Sequence, residues 1–406
     1  MRAAVSHAPV ASQSPVLVTD APSNASLAVV RSLGRRGIPV GVCVFTDEFN
    51  LAAFSRWATQ AIAMPSPTRD ASGFIDALAR LLAQGKYPVV FPTTDRTIQL
   101  IAGARHRLPS WVRVPIPGTD ALMTVLDKAR TVELAERLEV RIPRTWRPAS
   151  VAAANALALQ LPYPVIVKPR QTNFLRADGQ LMKRNYAVVT RPREFLATWR
   201  RLHEAIPAPI VQELVPGRGV GINTLWRDGE PLTWFCHRRV REIDPRGGRS
   251  SAAETAPCDP RLVDATRRML AALRWHGVAM AEFKYDEPTG RHWLLEINGR
   301  FWGSLPLALA AGVDFPYHLY QLAVDEMPEL PASYPSGVFA RDAVAEIKHL
   351  VRAIALRHGA MAALRHAPTI LHPWKASFNW TADDPEPGRR EWLHTIGRAL
   401  WRGQAA

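Results

Sequence analysis

The segment Met280–Gly303 predicts a tight antiparallel hairpin with carboxylates on one face. Two strand-like runs flank a Glu-Pro-Thr-Gly-Arg turn signal centred on Thr289. With that centre, Glu282 lies directly opposite Glu296, and Asn298 falls on the same face because side chains alternate along a strand. Opposed residues have Cβ atoms about 5 Å apart, so two negative charges there repel. A divalent cation that prefers carboxylate and amide oxygens would turn this repulsion into a binding site; the alternative is a solvated face with carboxylates placed by chance.

The charge of the chain restricts its partners. The 406 residues include 51 Lys and Arg against 36 Asp and Glu, which gives a net charge of +15. Such a basic balance is typical of proteins that bind polyanions. The basic residues are scattered, however, and no helix-turn-helix, zinc-finger or RNA-binding signature is present. We therefore expect no nucleic acid partner and favour a small polyphosphate substrate.

The chain lacks the signals of a membrane or secreted protein. It has no uninterrupted apolar run of membrane-spanning length, and its first residues lack the apolar core of a signal peptide. Its three cysteines, Cys43, Cys236 and Cys258, are far apart and match no metal-binding spacing. We therefore predict no transmembrane segment, a disordered tail over residues 1–14, and a reduced, cytoplasmic location.

Residues 15–125 alternate strand and helix patterns, which predicts a parallel sheet covered by helices. The predicted strands are SPVLVTDA, IPVGVCVF and YPVVFPTT, and the predicted helices are SNASLAVVRSLGRRG, FIDALARLLAQG and DRTIQLIAGARHRL. No G-x-G-x-x-G motif follows the first strand, so a dinucleotide-binding fold is not supported. Asp20, Thr93, Thr94 and Asp95 fall at strand ends, where they could contact a ligand. Helix capping is an equal explanation for Thr94 and Asp95.

The remaining sequence divides into three parts. Residues 126–207 combine helices with short strands, and residues 208–334 combine longer strands with the carboxylate hairpin. Residues 335–406 are predicted to be helical, most clearly over RDAVAEIKHLVRAIALRHGAMAALRHA. This last helix could lie on a membrane surface, but we expect it to pack against the body because its polar face carries acidic as well as basic residues.

Lysine is rare in this chain, and two lysines occupy informative positions. Only seven of the 51 basic residues are Lys. Lys128 follows Asp127 at a helix start, and Lys168 ends the apolar strand Pro-Val-Ile-Val. A cation at the end of a buried strand usually faces an anion or a ligand. Glu213 lies in another apolar strand and needs a partner for the same reason.

In this order, Asp127-Lys128, Lys168, the strand containing Glu213 and the hairpin with its E-I-N-x-R ending resemble the ATP-grasp superfamily. The resemblance spans about residues 15–330. It is strongest toward stand-alone carboxylate–amine ligases, on the segment N-G-R-F-W-G-S-L. It implies an α/β protein with α+β character in its ATP-grasp part. The expected domains are a parallel-sheet pre-ATP-grasp domain (15–125), a small ATP-grasp subdomain (126–207), a large subdomain with the metal site (208–334) and a helical C-terminal extension (335–406).

The resemblance also implies roles for individual residues. Phosphate contacts are expected from Lys128 and Lys168, and adenine contacts from Gln212, Glu213 and Leu214. Glu282, Glu296 and Asn298 are expected to hold one or two Mg²⁺ ions, or Mn²⁺, and Arg300 to stabilise the reacting group. A further cation is expected among Arg238, Arg239 and Arg241, of which Arg239 is our candidate for a catalytic role.

The implied reaction is an ATP-dependent ligation. A carboxylate would form an acyl phosphate with release of ADP, and an amine, or a thiol, would then displace phosphate. An ATP-grasp kinase or carboxylase and a catalytically inactive ATP-binding protein are the alternatives. The partners expected are small-molecule carboxylates and amines, and a homodimer is an expectation from the superfamily.

Two segments depart from the superfamily pattern. The loop over residues 170–184 contains one glycine, Gly179, where relatives often carry a glycine-rich phosphate loop; it could act as a basic flap. The sequence Arg-Gly-Val-Gly at 218–221 replaces the acidic ribose contact that is common in relatives. Among the histidines, His237 is the one candidate for a chemical role.

Overall fold

The computed structural model describes residues 13–176, 179–244, 248–355 and 376–404. The chain is an α/β protein, as the sequence predicts. Residues 1–12 of the expected tail lie outside the described residues, as do residues 356–375 at the end of the predicted long C-terminal helix. Within the described ranges, no helix is both long enough and apolar enough to cross a membrane.

The N-terminal part is built on a parallel sheet, which confirms the predicted strand–helix alternation. Its elements are β1 (Val16–Val18), α1 (Asn24–Gly34), β2 (Val40–Val44), β3 (Ala58–Ala63), α2 (Ala71–Ala83), β4 (Val89–Phe91), α3 (Asp95–Gly103) and α4 (Thr119–Leu126). The strand order is β3-β2-β1-β4. The sequence did not predict β3, because its residues Ala-Thr-Gln-Ala-Ile-Ala are mostly exposed at the sheet edge and lack an apolar pattern.

The next part forms a second, smaller sheet. Its elements are α5 (Lys128–Arg137), β5 (Thr145–Trp146), α6 (Val151–Leu157), β6 (Val165–Lys168), β7 (Asn173–Leu175), β8 (Leu181–Lys183), β9 (Ala187–Val189), α7 (Pro192–Ala205) and β10 (Ile210–Glu213). The sheet order is β5-β10-β6-β9, and β7 pairs with β8 as a separate hairpin. The predicted helix start at Asp127-Lys128 is confirmed: α4 ends at Leu126, and Asp127 caps α5 by accepting the Ala129 N–H at 2.9 Å.

A seven-stranded sheet forms the largest part. Its elements are β11 (Arg218–Arg227), β12 (Glu230–Glu242), β13 (Ser250–Ala256), α8 (Pro260–Ala272), β14 (Gly277–Asp286), β15 (Arg291–Asn298), α9 (Leu305–Ala310), α10 (Phe315–Ala323), β16 (Phe339–Arg341), α11 (Ala343–Ala355), β17 (Ala376–Ser377) and α12 (Glu386–Gln404). The strand order is β15-β14-β11-β12-β13-β16-β17. The C-terminal region is thus not helical throughout, because β16 and β17 extend this sheet.

The C-terminal region also holds the N-terminal part in place through a buried ion pair. Arg31 on α1 donates from Nε to Asp384 Oδ2 at 2.9 Å, and their side chains are 4% and 1% exposed. Asp384 also accepts from the Ser55 hydroxyl at 2.7 Å and from the Arg56 backbone N–H at 2.9 Å. Because the two opposite charges of this pair are buried together, removing one partner leaves the other charge buried and uncompensated.

We predict that Asp384→Asn lowers the stability of the protein by about 3 kcal/mol, because the Arg31 guanidinium then stays buried without its counter-charge. The measurement is urea-induced unfolding followed by circular dichroism. Asp383→Asn is the matched control: Asp383 pairs with Arg35 and its side chain is 44% exposed. That change is expected to cost about 1 kcal/mol or less. Equal losses in the two variants would contradict the buried-pair account.

Candidate active site

The hairpin register confirms the opposition of the two glutamates. Glu282 on β14 pairs with Glu296 on β15, and Met280 pairs with Asn298. A bulge follows Glu282, so that Phe283 pairs with Leu294 and Leu295 is the extra residue. The bulge shifts the register toward the turn but leaves the two carboxylates facing each other. The acidic face therefore arises as the alternation of side chains predicts.

Two glycines on β11 make room for functional side chains from β12. Across the sheet, Gly221 lies between Glu282 on β14 and His237 on β12. A Cβ atom on Gly221 would come within 2.3 Å of His237 Cε1, and one on Gly219 within 2.7 Å of Arg239 Cδ. Both side chains thus lie flat over β11. This close approach gives the Arg-Gly-Val-Gly sequence, which departs from the superfamily pattern, a structural reason.

Arg239 is the arginine of its strand that reaches the acidic face. Its guanidinium forms an ion pair with Glu282, donates to Glu242 Oε1 at 3.2 Å and donates to the Gly248 carbonyl at 2.8 Å. Burial lowers the pKa of Arg239, but the carboxylates of Glu282 and Glu242 outweigh burial and raise it above its usual value. This residue therefore stays charged.

The other two candidate arginines have different partners. Arg238 pairs with Glu254, and Arg241 donates from Nε to the buried Glu346 on α11 at 2.7 Å. Neither lines the cleft that contains the acidic face, whereas Arg239 does. The structure thus separates three arginines between which the local sequence could not choose.

Two lysines approach the acidic face from the part of the chain that carries the small sheet: Lys128 begins α5, and Lys168 ends β6. Lys128 Nζ lies 3.9 Å from Glu296 Oε2 and donates to Thr172 Oγ1 at 3.1 Å. Lys168 is buried, and burial lowers its pKa to about 8. Glu296 opposes that shift and Lys128 adds to it. These contacts bring both predicted phosphate-binding lysines to the same carboxylate.

Arg300 is held by a carboxylate from the N-terminal part. Its Nε donates to Asp95 Oδ1 at 2.9 Å and its Nη2 to Asp95 Oδ2 at 3.0 Å. Nη2 also donates to Asn298 Oδ1 at 2.9 Å, and Asn298 Nδ2 donates to Glu282 Oε1 at 3.1 Å. The sequence suggests two explanations for Asp95, contact with a ligand and capping of a helix. The structure shows a third, pairing with Arg300. The informative signal was its position at the end of a strand in an α/β sheet.

The two opposed glutamates differ in how readily they hold a negative charge. Burial raises the pKa of Glu282, which Arg239 opposes and Glu296 reinforces. Burial also acts to raise the pKa of Glu296, but Lys128, Lys168 and Arg300 outweigh it and hold that pKa below its usual range. Glu296 is therefore stabilised as an anion by cations that come from several elements, whereas burial makes Glu282 the easier of the two to protonate.

The donor set on this face suits a hard divalent cation. Two carboxylates and the amide oxygen of Asn298 are all oxygen ligands, and their mutual repulsion is relieved when a cation binds between them. No group of three or more His, Cys, Asp or Glu side chains in the described ranges is arranged to hold a metal. The fit therefore rests on two carboxylates with one amide, as the sequence predicts.

These groups line one cleft of about 460 Å³, a size typical of small-molecule sites. One end is apolar and left partly uncovered: Val188 is 39% exposed and Leu214 46% exposed, with Ile166 and Val215 beside them. The lining also has an aromatic wall, formed by Trp302 and by Phe378, which follows β17. The cleft thus combines charged groups with apolar and aromatic side chains, as expected for a ligand that carries both a flat ring and phosphates.

Comparison with known proteins supports the resemblance found in the sequence. A family described as "ATP-grasp in the biosynthetic pathway with Ter operon" matches residues 205–348. D-alanine–D-alanine ligase of Pseudomonas entomophila is 26% identical over 241 residues, covering 55% of this chain and 72% of that protein.

Solved structures share the fold at low identity. The biotin carboxylase complex of Campylobacter jejuni has a TM-score of 0.64 at 14% identity, covering 80% of this chain and 74% of that one. The L-amino acid ligase of Bacillus licheniformis has a TM-score of 0.58 at 14% identity, covering 77% of this chain and 74% of that one. These comparisons support the assignment of the chain to the ATP-grasp superfamily. The predicted enzyme class, an ATP-dependent ligase, is thereby confirmed.

The adenine contacts implied by the ATP-grasp resemblance are placed unevenly. Leu214 lines the cleft, but Gln212 and Glu213 are not among its lining residues. Gln212 Nε2 donates to Thr145 Oγ1 at 2.9 Å, and Glu213 Oε1 accepts the backbone N–H of Arg144 at 2.8 Å. Glu213 therefore has the partner that its strand position required, whereas Gln212 Oε1 is buried without a hydrogen-bond partner.

The glycine-poor loop of this ATP-grasp protein forms the β7–β8 hairpin. Gly179 adopts a left-handed φ of +79°, and Leu181 N–H donates to the Thr68 carbonyl of the N-terminal part at 3.0 Å. Thr172, Lys183 and Arg184 from this region line the cleft. Its contribution to the site thus comes from side chains rather than from a run of glycine N–H groups.

His237 is placed in the cleft as a neutral, fixed side chain. Its Nδ1 lies 2.9 Å from Asn223 Nδ2, and its Nε2 lies 3.2 Å from Ser304 Oγ. Because the amide nitrogen of Asn223 donates, Nδ1 accepts and the ring proton is on Nε2. Burial lowers the pKa of His237 to about 3, and Arg239 contributes to the shift. A general-base role is therefore not supported.

We predict that Gly221→Ala weakens both stability and catalysis, because the new methyl group meets an imidazole ring held at both nitrogens. The expected cost is about 1–3 kcal/mol, as for other overpacked sites. Thermal unfolding and ATP-dependent ADP release measure the two effects. Gly303→Ala is the matched control in the same cleft, since its Cβ would meet Arg249 Cδ at an ordinary 3.8 Å. Equal behaviour of the two variants would contradict the close-approach account.

Proposed function

We propose that this ATP-grasp enzyme joins a carboxylate to an amine, or to a thiol, through an acyl phosphate. The substrate carboxylate attacks the γ-phosphorus of ATP and ADP leaves. The amine then attacks the acyl carbon, phosphate leaves, and an amide forms. The observation that carries the proposal is the placement of Lys128, Lys168 and Arg300 in one cleft with Glu296, where Lys128 Nζ lies 3.9 Å from Glu296 Oε2, because phosphoryl transfer depends on positioning and charge neutralisation.

Each group has a defined part in this proposal. Lys128 and Lys168 offset charge on the phosphates. Because burial disfavours the charged form of Lys168, an anionic ligand stabilises that form. Glu282, Glu296 and Asn298 would hold Mg²⁺ or Mn²⁺, which when bound supplies further neutralisation of phosphate oxygens.

The arginines and the apolar wall complete the arrangement. Arg300, fixed by Asp95, and Arg239, fixed by Glu282 and Glu242, present cations to the reacting phosphoryl and acyl groups. The apolar end around Leu214 and Val188 receives the adenine ring. Gln212 and Glu213 precede Leu214 along the chain, at the end of β10.

We predict that Glu296→Gln lowers ADP release by about 10²-fold or more, because it removes the charge on which the lysines and the cation site converge. The assay measures ADP formed from ATP with a panel of candidate acids and amines. Glu287→Gln is the matched control, since Glu287 lies at the tip of the same hairpin with its side chain 51% exposed. Full activity in Glu296→Gln would show that Glu296 is not a metal ligand.

The same assay separates the proposed reaction from other ATP-grasp reactions. Ligation requires that phosphate release depend on both an acid and an amine or thiol. Turnover that needs bicarbonate instead, or that leaves phosphate on the acceptor, would contradict ligation. Nucleotide binding without turnover under every combination would identify an inactive ATP-binding protein.

Asp95 is predicted to be a positioning residue that acts through Arg300. Asp95→Asn should lower kcat by about 10²-fold with little change in the KM for ATP, because a misaligned guanidinium no longer meets the reacting group. Asp95→Glu should recover part of the rate, since it keeps the charge. Asp76→Asn is the control, because Asp76 pairs with Arg107 on the exposed surface of the same part. A change confined to KM, or no recovery by Glu, would contradict this role.

A further inference from the structure

The fold brings together two cysteines that are 22 positions apart in the sequence. Cys236 on β12 and Cys258, just after β13, line a second cavity of about 630 Å³. Side chains alternate along β12, so Cys236 points to the face opposite the one where His237 and Arg239 meet the ATP cleft. The second cavity is therefore separated from the ATP cleft by the sheet itself.

One tyrosine hydroxyl fixes the geometry of this pair. The Tyr334 oxygen accepts the backbone N–H of Cys236 at 2.9 Å and lies 3.3 Å from Cys258 Sγ. It also donates to the Ala256 carbonyl at 2.8 Å. Cys236 and Cys258 therefore share the Tyr334 hydroxyl as well as the cavity, and their thiols are close enough for each to shift the pKa of the other.

The two thiols differ in access and in acidity. Cys236 is 2% exposed, whereas Cys258 is partly exposed to the cavity. The hydrogen bond from Cys236 and that from Tyr334 outweigh burial and lower the pKa of Cys258 to about 7. The shared hydrogen bond and burial raise the pKa of Cys236. Since the thiolate is the nucleophile, Cys258 is the attacking sulfur and Cys236 the resolving one.

We propose that Cys258 and Cys236 form a thiol–disulfide exchange site that takes low-molecular-weight disulfides such as oxidised glutathione. The Cys258 thiolate attacks one sulfur of the disulfide, which forms a mixed disulfide and releases one thiolate. The Cys236 sulfur, having passed its proton to that leaving thiolate, attacks Cys258 Sγ and releases the second thiolate, which takes up a proton from water. Two protein thiols are oxidised, and one external disulfide is reduced to two thiols.

The surroundings of the cavity favour a reagent that has both apolar and charged portions. Val220, Pro257 and Leu262 supply apolar walls, and Arg218, Arg238 and Arg261 line the same space. Each arginine also pairs with a carboxylate, so the cavity is polar without a large net charge. A tripeptide disulfide with apolar and charged portions matches this lining.

The test treats the folded full-length protein with oxidised glutathione and maps the cysteines by mass spectrometry after alkylation in denaturant. The wild type is expected to lose two hydrogens through a Cys236–Cys258 disulfide. Cys236→Ser is expected to hold one glutathione on Cys258, and Cys258→Ser to form neither product. Cys43 is the internal control, because it is fully buried and burial raises its pKa. Cys258 should react about tenfold faster than Cys43, or more.

The wild-type map alone decides the proposal, so it does not depend on either variant folding. A stable glutathione adduct on Cys258 without an internal disulfide would overturn it. So would oxidation of all three cysteines at one rate, which would show that the thiols react only when the protein unfolds. A third contrary result is reaction of Cys236 in Cys258→Ser at the wild-type rate.

Discussion

The rest of the site depends on one repulsion, that between Glu282 and Glu296 across the hairpin. Two carboxylates held opposite each other on a partly buried face are tolerated only where cations surround them. Arg239 reaches Glu282 across the glycines of β11, and Lys128 at the start of α5 and Lys168 at the end of β6 approach Glu296. Cationic side chains from separate parts of the chain thus converge on this pair of carboxylates.

That meeting point is maintained by the N- and C-terminal regions. Asp95, the first residue of α3, holds Arg300. Arg31 on α1 and Asp384 join the N-terminal part to the C-terminal region. Both contacts are charge-assisted and therefore directional. The reacting groups are consequently placed by side chains from the flanking parts of the chain as well as by the ATP-grasp strands.

Local pattern was sufficient for the hairpin register, because alternation and a turn signal define which residues face each other. It was also sufficient for Lys128 and Lys168, since a charge at a helix start or buried strand end is conspicuous. Local pattern could not choose between the arginines of β12 or assign Asp95 to Arg300. Both depend on partners far away in the sequence. The adenine contacts, the domain boundaries and the homodimer stay predictions.

Phe378 gives the cleft a wall that arises outside the matched family region, which ends at residue 348. The floor of the cleft, formed by Glu282 and Glu296, takes part in several charge pairings at once, so a substitution there breaks more than one of them. The aromatic wall has no such charge pairings: Trp302 and Phe378 are buried and held by apolar packing, which tolerates exchanges that conserve volume. Selection can therefore reshape the wall within that limit while the carboxylate floor stays constant, and two proteins with the same floor can accept different acids. Similarity confined to the floor is accordingly a guide to chemistry and a poor guide to substrate.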